Sequence, residues 1–372
     1  MDKMADVLGR AGAWCGQNKY LSAIKNAFQN FMPLTIAGAI GVLWCNVLVN
    51  DQTGLGLFFK PIMALDFLNP AFQAVNFCTI SCITVGITLG IAQEIGVWNM
   101  GAEKAGYIPG LVGLAAWLSV TNTSHMVEGA KEAFTGIAGN ELGATGLFTG
   151  MIIGVLSVEL FCFFEKQDAL KIKMPEQVPP GVARAFEVLV PATITLIITA
   201  CIGSACYNLT GLYLNDVIKN GIQGPLGAVG ATIPGVMIIY LVIMLFWLVG
   251  IHGNNMLSAV KEALFTPLAL ENVEKFNKGE KPTNIINMYA LQMWGEFGGS
   301  GVTIGLVIAI MIFGKREDNK AIATLSLVPG LFNINETVTF GIPMVLNPIL
   351  GIPFVFACLV TILVGYVLTV IG

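Results

Sequence analysis

Eight runs of mostly apolar residues constrain the fold of this chain more than any other feature. They lie at 31–50, 72–92, 105–120, 142–164, 188–206, 232–250, 300–314 and 349–371. About 20 such residues are enough to cross a bilayer as one helix. Only 11% of the 372 residues are charged, against roughly 25% in soluble domains, so they cannot cover the surface of a soluble protein of this size. The sequence predicts an all-α polytopic membrane protein with about 8–10 transmembrane helices.

The basic residues predict the orientation of the chain, because cytoplasmic loops of membrane proteins are enriched in lysine and arginine. Such residues gather before the first run and after the fourth: Lys3, Arg10, Lys19, Lys25, Lys166, Lys171, Lys173 and Arg184. This places the N-terminus in the cytoplasm. Each run that crosses the membrane changes the side of the chain, so the chain returns to the cytoplasm after the sixth run. Lys261 follows that run and is predicted to lie on the cytoplasmic side. Residues 1–30 have apolar side chains at helical spacing and predict an amphipathic N-terminal helix.

Two further segments are apolar but broken by glycine and proline. Residues 284–299 end in the glycine-rich sequence WGEFGGSG, and residues 327–348 contain Pro329, Gly330, Gly341 and Pro343 around Glu336. Irregular backbone at membrane depth is tolerated only where protein or a water-filled cavity satisfies its polar groups. Both segments are therefore predicted to be re-entrant hairpins that line a cavity, and the functional site is expected there.

Polar residues in these apolar surroundings are the candidate site residues, since a buried charge in a membrane is costly. His252 stands in GIHGNN (250–255) with Asn254 and Asn255. Glu336 stands in NINE (333–336) with Asn333 and Asn335, and Glu296 lies close to Trp294. Carboxylates, an imidazole, amides and an aromatic face together are suited to binding sugar hydroxyls and stacking on a sugar ring. This set of residues favours a polyol substrate.

Structural explanations stay open for several of these residues. His252 at the end of an apolar run is equally a helix cap, Glu336 could form an ion pair with a lysine, and Trp294 could be an interface anchor or a core residue. Most of the eight cysteines fall in apolar stretches and are interpreted as small buried hydrophobes. The two histidines are far apart, so no metal site is expected. The net charge of −4 gives no reason to expect nucleic-acid binding.

Four motifs occur in a fixed order and carry a family resemblance: KMPEQVPPGVARAFEVLVPA (173–192), GIHGNN (250–255), GGSGVTIGL (298–306) and NINETVTFGIPMVLNPILGIPF (333–354). With them, the chain resembles enzyme IIC, the membrane subunit of the bacterial phosphoenolpyruvate:sugar phosphotransferase system, in its lactose/cellobiose/chitobiose family. The resemblance covers essentially the whole chain and includes NKYLSAIKNAFQNFMPLTIAGAI (18–40). Two departures stand out. Thr337 occupies a position where the family usually has proline. The parity count places Gly372 outside, so the last span of the family pattern is expected to be missing.

The resemblance implies group translocation of a β-linked disaccharide such as cellobiose, diacetylchitobiose or lactose across the bacterial inner membrane. Residues 31–206 would form the dimerisation portion of a homodimer surrounded by membrane lipids, and residues 207–372 the sugar-binding transport portion. A separate phosphorylated IIB subunit would donate the phosphoryl group, and no cofactor is expected. Glu336 would contact the acceptor hydroxyl and take its proton. Asn254, Asn255 and Asn335 would shape the site or satisfy exposed backbone groups. The other predicted sugar-site residues are His252, Asn254, Asn255, Asn333, Asn335, Glu296, Trp294 and Asn76.

Two rival functions follow from the same residues. In a proton-coupled secondary transporter, Glu336 would carry a proton and couple sugar movement to the proton gradient. In an intramembrane acid–base enzyme, Glu336 and His252 would form the catalytic pair. The energy source of uptake separates the first rival from group translocation, since collapse of the proton gradient should spare uptake that phosphoenolpyruvate drives.

Overall fold

The structure is a computed structural model that describes residues 2–52, 54–125, 133–175, 177–342, 344 and 347–372. Within these ranges the chain is almost entirely helical. The helices of its first half are α1 Asp2–Gln17, α2 Lys19–Leu43, α3 Asn69–Cys78, α4 Ile83–Met100, α5 Ala102–Ala105, α6 Ile108–Val120, α7 Gly139–Leu142, α8 Ala144–Glu165 and α9 Pro180–Thr210. A two-residue antiparallel ladder, β1 Ser124–His125 with β2 Phe134–Thr135, is the sheet that these ranges contain.

The second half continues with α10 Leu214–Ile218, α11 Gly224–Gly230, α12 Ile233–Leu248, α13 Gly253–Asn277, α14 Met288–Gly295, α15 Thr303–Phe313, α16 Glu317–Leu331, α17 Glu336–Gly341 and α18 Pro348–Ile371. Short 3₁₀ turns cover Leu55–Leu57, Lys60–Leu68, Ile80–Cys82 and Asp168–Leu170, and π turns cover Trp44–Leu48 and Lys219–Gln223. The predicted all-α class is confirmed.

All eight predicted apolar runs form helices, but not all of these are long. Among the described residues, five helices are long and apolar enough to cross a membrane: Lys19–Leu48, Lys60–Met100, Ala144–Glu165, Pro180–Thr210 and Ile349–Ile371. A sixth span is possible if two helices that meet at a bend of 76° are taken as one: Leu214–Ala228 and Ile233–Leu248. The runs at 105–120 and 300–314 form helices of 13 and 11 residues, which are shorter than the roughly 20 residues of a full span.

The N-terminal region differs from the single amphipathic helix predicted for residues 1–30. The helix α1 ends at Gln17, and α2 starts at Lys19 and continues as the first long apolar helix. The side chain of Asn18 accepts hydrogen bonds from the backbone N–H groups of Tyr20 and Leu21, both at 3.1 Å. Asn18 is therefore an N-cap, which starts a new helix where the apolar spacing alone suggests continuity.

The chain divides into two compact units, Ala23–Gly224 and the combination of Met1–Ser22 with Pro225–Gly372. In the first, called the N-terminal unit, α4, α6, α8 and α9 pack together. Small residues allow this close packing, as the sequence GATGLFTGMIIG (143–154) predicts. A Cβ atom at Gly150 would lie 2.2 Å from the Thr88 hydroxyl oxygen, for example. The predicted domains 1–30, 31–206 and 207–372 stay a prediction.

The second unit, called the C-terminal unit, has its own apolar core. Residues from α12 to α18 contribute to it, with Tyr240, Trp247, Phe265 and Ile362 among the fully buried side chains. The helix α1 also packs in this unit, against α12 and α13. Both segments that were predicted to be re-entrant are interrupted helices here: a loop at 296–302 separates α14 from α15, and residues 332–335 separate α16 from α17. Pro343, Val345 and Leu346 of the second segment lie outside the described residues.

Candidate functional site

His252 and Glu336 meet at the starts of two helices in the C-terminal unit. His252 immediately precedes α13, and Glu336 is the first residue of α17. The Nε2 atom of His252 lies 3.3 Å from Oε1 of Glu336, and the two side chains are 35% and 44% exposed. The sequence analysis singled out both residues, and the structure brings them into contact while leaving each accessible to a ligand.

A backbone hydrogen bond determines which nitrogen of His252 carries the proton. His252 is the N-cap of α13, and its Nδ1 atom accepts a hydrogen bond of 3.2 Å from the backbone N–H of Asn255. An accepting Nδ1 has no proton, so the neutral ring carries its proton on Nε2. The protonated Nε2 then faces Oε1 of Glu336 at 3.3 Å. His252 is therefore both the cap that the structural explanation proposed and the partner of the carboxylate.

Aromatic side chains pack behind the imidazole. The Trp247 ring centroid lies 4.5 Å from that of His252 and 6.4 Å from that of Phe340. Trp247 is buried in the apolar core, so it supports the histidine ring from behind rather than offering an open face. This packing limits the rotation of the His252 ring and keeps Nε2 directed at Glu336.

The loop at residues 296–302, called here the glycine loop, has an unusual backbone. Gly298, Gly299 and Gly301 have φ angles of 81°, 95° and 80°, and Val302 has a φ of 53°. Side-chain-bearing residues rarely adopt such angles. At Gly299 there is also no room, because a Cβ atom would lie 2.5 Å from Cβ of Asn335. The glycines of the predicted motif therefore allow the loop to approach the NINE segment closely.

The asparagines of the NINE segment hold the glycine loop. The Oδ1 atom of Asn333 accepts a 2.8 Å hydrogen bond from the backbone N–H of Gly298. The Nδ2 atom of Asn335 donates a 2.8 Å hydrogen bond to the backbone carbonyl of Ser300. These bonds satisfy backbone groups of an irregular segment, which otherwise would be costly to bury. Asn333 and Asn335 were predicted as sugar contacts, and the structure uses both amides to fix the loop beside Glu336.

Asn254 is also engaged within the protein. Its Nδ2 atom donates to Oγ of Ser300 at 2.7 Å, and its Oδ1 atom accepts from Nζ of Lys261 at 3.2 Å. Lys261 further forms an ion pair with Glu296, and the Tyr240 hydroxyl donates to the same carboxylate oxygen at 2.7 Å. The side chains of Lys261 and Glu296 are only 4% and 13% exposed. The sequence analysis counted Lys261 as a cytoplasmic lysine, whereas the structure buries it in this network.

The remaining predicted residues do not join this cluster. The Trp294 ring packs on α18, where a Cβ atom at Gly365 would lie 2.4 Å from it. Asn255 is exposed and contacts His252 through its backbone. Asn76 belongs to α3 of the N-terminal unit, and its Oδ1 atom is buried without a hydrogen-bond partner.

Sequence reasoning missed Tyr240, Lys261 and Ser300. The signal that could have found Lys261 is its spacing of seven residues from Asn254, which places both on one helix face. In the part of the chain that the structure describes, no group of three or more His, Cys, Asp or Glu side chains could hold a metal ion.

The sequence matches a known protein family. The family described as "Phosphotransferase system, EIIC" matches residues 25–358 of the chain. The chain belongs to this family. EIIC proteins are integral membrane permeases of the phosphotransferase system, which agrees with the long apolar helices and with the family that the ordered motifs indicate.

Individual relatives match along nearly the whole chain. The oligo-beta-mannoside-specific EIIC component of Bacillus subtilis is 32% identical over 369 residues, which are 98% of this chain and 80% of that protein. The lactose-specific EIICB component of Staphylococcus aureus is also 32% identical, over 93% of this chain and 58% of its own length. A crystal structure of the transporter ChbC, the IIC component of an N,N'-diacetylchitobiose-specific system, superposes with a TM-score of 0.84 at 30% identity, covering 95% of this chain and 82% of ChbC.

Proposed function

We propose that this EIIC protein binds a β-linked disaccharide and presents one of its hydroxyl groups to a phosphorylated IIB subunit during alternating-access transport. The observation that carries the proposal is the contact between His252 and Glu336, both partly exposed at the starts of α13 and α17. A carboxylate that receives one hydrogen bond from a fixed donor keeps its second oxygen for a ligand. That second oxygen is suited to accept a hydrogen bond from a sugar hydroxyl.

The chemical step uses the Glu336 carboxylate as a general base. The sugar hydroxyl oxygen attacks the phosphorus of the phosphocysteine on IIB, so that a phosphorus–oxygen bond forms as the phosphorus–sulfur bond breaks. The cysteine leaves as a thiolate, and the hydroxyl proton passes to Glu336. His252, whose Nε2 lies 3.3 Å from Oε1 of Glu336, orients the carboxylate. Phosphorylation then prevents the product from returning through the carrier.

The predicted site residues fall into two groups: those that contact the sugar, and those that hold the site in shape, called here the frame. We assign sugar contact to His252, Glu336 and the exposed Asn255. The frame consists of the side chains that already bond within the protein: Asn254, Asn333, Asn335 and Glu296. A contact between Asn76 or Trp294 and the sugar stays a prediction. The names of the relatives support the sugar class, because oligo-beta-mannoside, lactose and N,N'-diacetylchitobiose are all β-linked.

The remaining assignments follow from the family. The protein would act in the bacterial inner membrane as a homodimer, with its N-terminus in the cytoplasm and residues 31–206 as its dimerisation portion. IIB would dock transiently at the cytoplasmic face. The lactose-specific relative supports this hand-off, because its name joins a B component to the C component in one chain.

Equilibrium binding to the purified protein in detergent tests the proposal first. Radiolabelled cellobiose, diacetylchitobiose, lactose and a β-mannoside disaccharide are offered without phosphoenolpyruvate, soluble subunits or an ion gradient. We expect saturable binding of one sugar, and loss of this binding in His252→Ala. Sucrose, which has no β-linked glucose or galactose at its non-reducing end, serves as the control ligand. If none of the β-linked sugars binds, the proposed ligand class is wrong.

Transport into vesicles then separates the proposal from the proton-coupled alternative. With internal phosphoenolpyruvate and the soluble phosphotransferase proteins, uptake should give phosphorylated sugar and persist when a protonophore collapses the proton gradient. Uptake of free sugar that needs the gradient and no IIB would instead support a secondary transporter in which Glu336 carries a proton.

A further inference from the structure

A buried ion pair lies in the C-terminal unit next to the contact between His252 and Glu336. Lys261 of α13 contacts the Glu296 carboxylate and, at 3.2 Å, Oδ1 of Asn254. Tyr240 completes the surroundings, since its hydroxyl bonds to Glu296 and its ring centroid lies 5.4 Å from the lysine ammonium. A buried ion pair gives little net stability compared with apolar side chains of the same volume. Its main effect is therefore on the neighbouring residues that it contacts.

Ser300 of the glycine loop connects the two chain segments that carry the site. Its Oγ atom accepts from Asn254, which is two residues after His252, at 2.7 Å. Its backbone carbonyl accepts from Asn335, which immediately precedes Glu336, at 2.8 Å. One buried residue is thus bonded to the start of α13 and to the start of α17. The separation between His252 and Glu336 depends on both bonds.

Lys261 controls the first of these bonds through the orientation of the Asn254 amide. An ammonium group has three donors and no acceptor, so it can face only the oxygen side of the amide. With Oδ1 held by Lys261, the NH₂ group of Asn254 must point to Ser300. Without the cation, Oδ1 loses the contact that fixes it, and the Asn254 side chain can turn away from Ser300. Glu296 and Tyr240 keep the ammonium group in place.

We propose that Lys261 is a positioning residue, which acts through Asn254 and Ser300 to hold His252 against Glu336. The proposal deepens the proposed function and rests on it for its consequence, because the positioned pair is the one that would handle the sugar hydroxyl. Its structural content is the contact between His252 and Glu336, which can be measured without any sugar.

The test variant is the double substitution Lys261→Met and Glu296→Gln, which removes both buried charges together and leaves neither unpaired. The matched control is Lys278→Met with Glu274→Gln, an exposed ion pair of 2.6 Å at the C-terminal end of the same helix. The chain has only two histidines, so ¹⁵N-histidine labelling gives one pair of ring-nitrogen signals each for His125 and His252, and His252→Gln assigns them. We expect the wild type to show His252 with an unprotonated Nδ1 and a protonated Nε2. The double variant should shift the His252 signals and leave the His125 signals unchanged. The control variant should leave the signals of both histidines unchanged.

Activity provides the second readout. Sugar affinity of the double variant should change by less than about fivefold, while kcat of sugar phosphorylation should fall on the order of 10²-fold, as small misplacements of reacting groups do. Lys261→Arg keeps the cation and should recover most of the kcat. Ser300→Ala, which removes only the Oγ acceptor, should reproduce the loss of kcat if the double variant does not fold.

Two results would overturn the positioning role: an unmoved His252 signal in both the double variant and Ser300→Ala, or equal losses of kcat in the buried pair and the exposed control. A wild type that has the expected histidine signal but phosphorylates no sugar contradicts the proposed function instead. The two failures are therefore distinguishable.

Discussion

The Nε2 atom of His252 lies 3.3 Å from Oε1 of Glu336, while the opposite ring nitrogen accepts the backbone N–H of Asn255. The imidazole thus links the first turn of α13 to the first residue of α17. One nitrogen accepts a backbone hydrogen bond, and the other faces the carboxylate. With the proton on Nε2, His252 cannot at the same time act as a base through that nitrogen.

Replacement of the carboxylate tests this division of roles. Glu336→Gln keeps the size of the side chain and removes its basicity. We expect sugar phosphorylation to fall by about 10²–10⁴-fold and sugar affinity to fall much less, because a base contributes mainly in the transition state. Equilibrium binding and phosphorylation of the same preparation measure the two effects. Glu317→Gln on α16, where the side chain is 86% exposed, is the control, and equal losses of binding and turnover would show that Glu336 only contacts the sugar.

Substitutions of His252 separate its capping role from its contact with Glu336. Asparagine is among the best N-cap residues, but its shorter side chain cannot reach Glu336. We expect His252→Asn to keep the thermal stability of the protein and to lose sugar phosphorylation. His252→Ala should lose both, with a cost of about 0.5–2 kcal/mol for the missing cap. Thermal unfolding in detergent checks the order of the variants, and equal melting temperatures of the two would contradict the capping role.

The glycine loop should not tolerate a side chain at Gly299. Its φ of 95° and the 2.5 Å approach to Asn335 both exclude a Cβ atom, so Gly299→Ala must displace the loop or the NINE segment. We expect loss of sugar binding together with a lower melting temperature. Gly305→Ala is the matched control, because Gly305 lies within α15 with nothing near its Cβ position. Alanine there should be neutral or stabilise the helix by up to about 1 kcal/mol.

Close packing in the N-terminal unit gives a prediction that is independent of the site. At Gly150 of α8 an added Cβ atom would lie 2.2 Å from the Thr88 hydroxyl, so Gly150→Ala should force α4 and α8 apart. Overpacking of this kind costs about 1–3 kcal/mol and should lower the melting temperature. Gly181→Ala at the start of α9 meets open space and should not. Similar melting temperatures for the two variants would show that the helices adjust without cost.

The apolar runs and the two polar motifs were predictable because each signal is local. A hydrophobic run predicts its own helix, and a glutamate or histidine in an apolar segment marks itself as unusual, which is how His252 and Glu336 were found. The helix lengths were less predictable. The break at Asn18 depends on a side chain that caps two backbone groups, and neither hydropathy nor periodicity reports such a cap.

The frame around the site was not predictable in the same way. The amide types of Asn254, Asn333 and Asn335 indicate hydrogen bonding but not the partner, and the partner turned out to be the glycine loop. The burial of Lys261 was not predictable, because a lysine after an apolar run resembles a surface residue until its partner is known. That partner, Glu296, is 35 residues away along the chain, and one sequence does not reveal such a pairing.

The cap on α13 has a consequence for the way the candidate site can move. The same imidazole accepts the Asn255 N–H at the start of α13 and faces the Glu336 carboxylate at the start of α17. The ring therefore cannot turn away from Glu336 without giving up its contact with the helix. A displacement of the first turn of α13 would carry His252 with it, so the helix start and the site shift together.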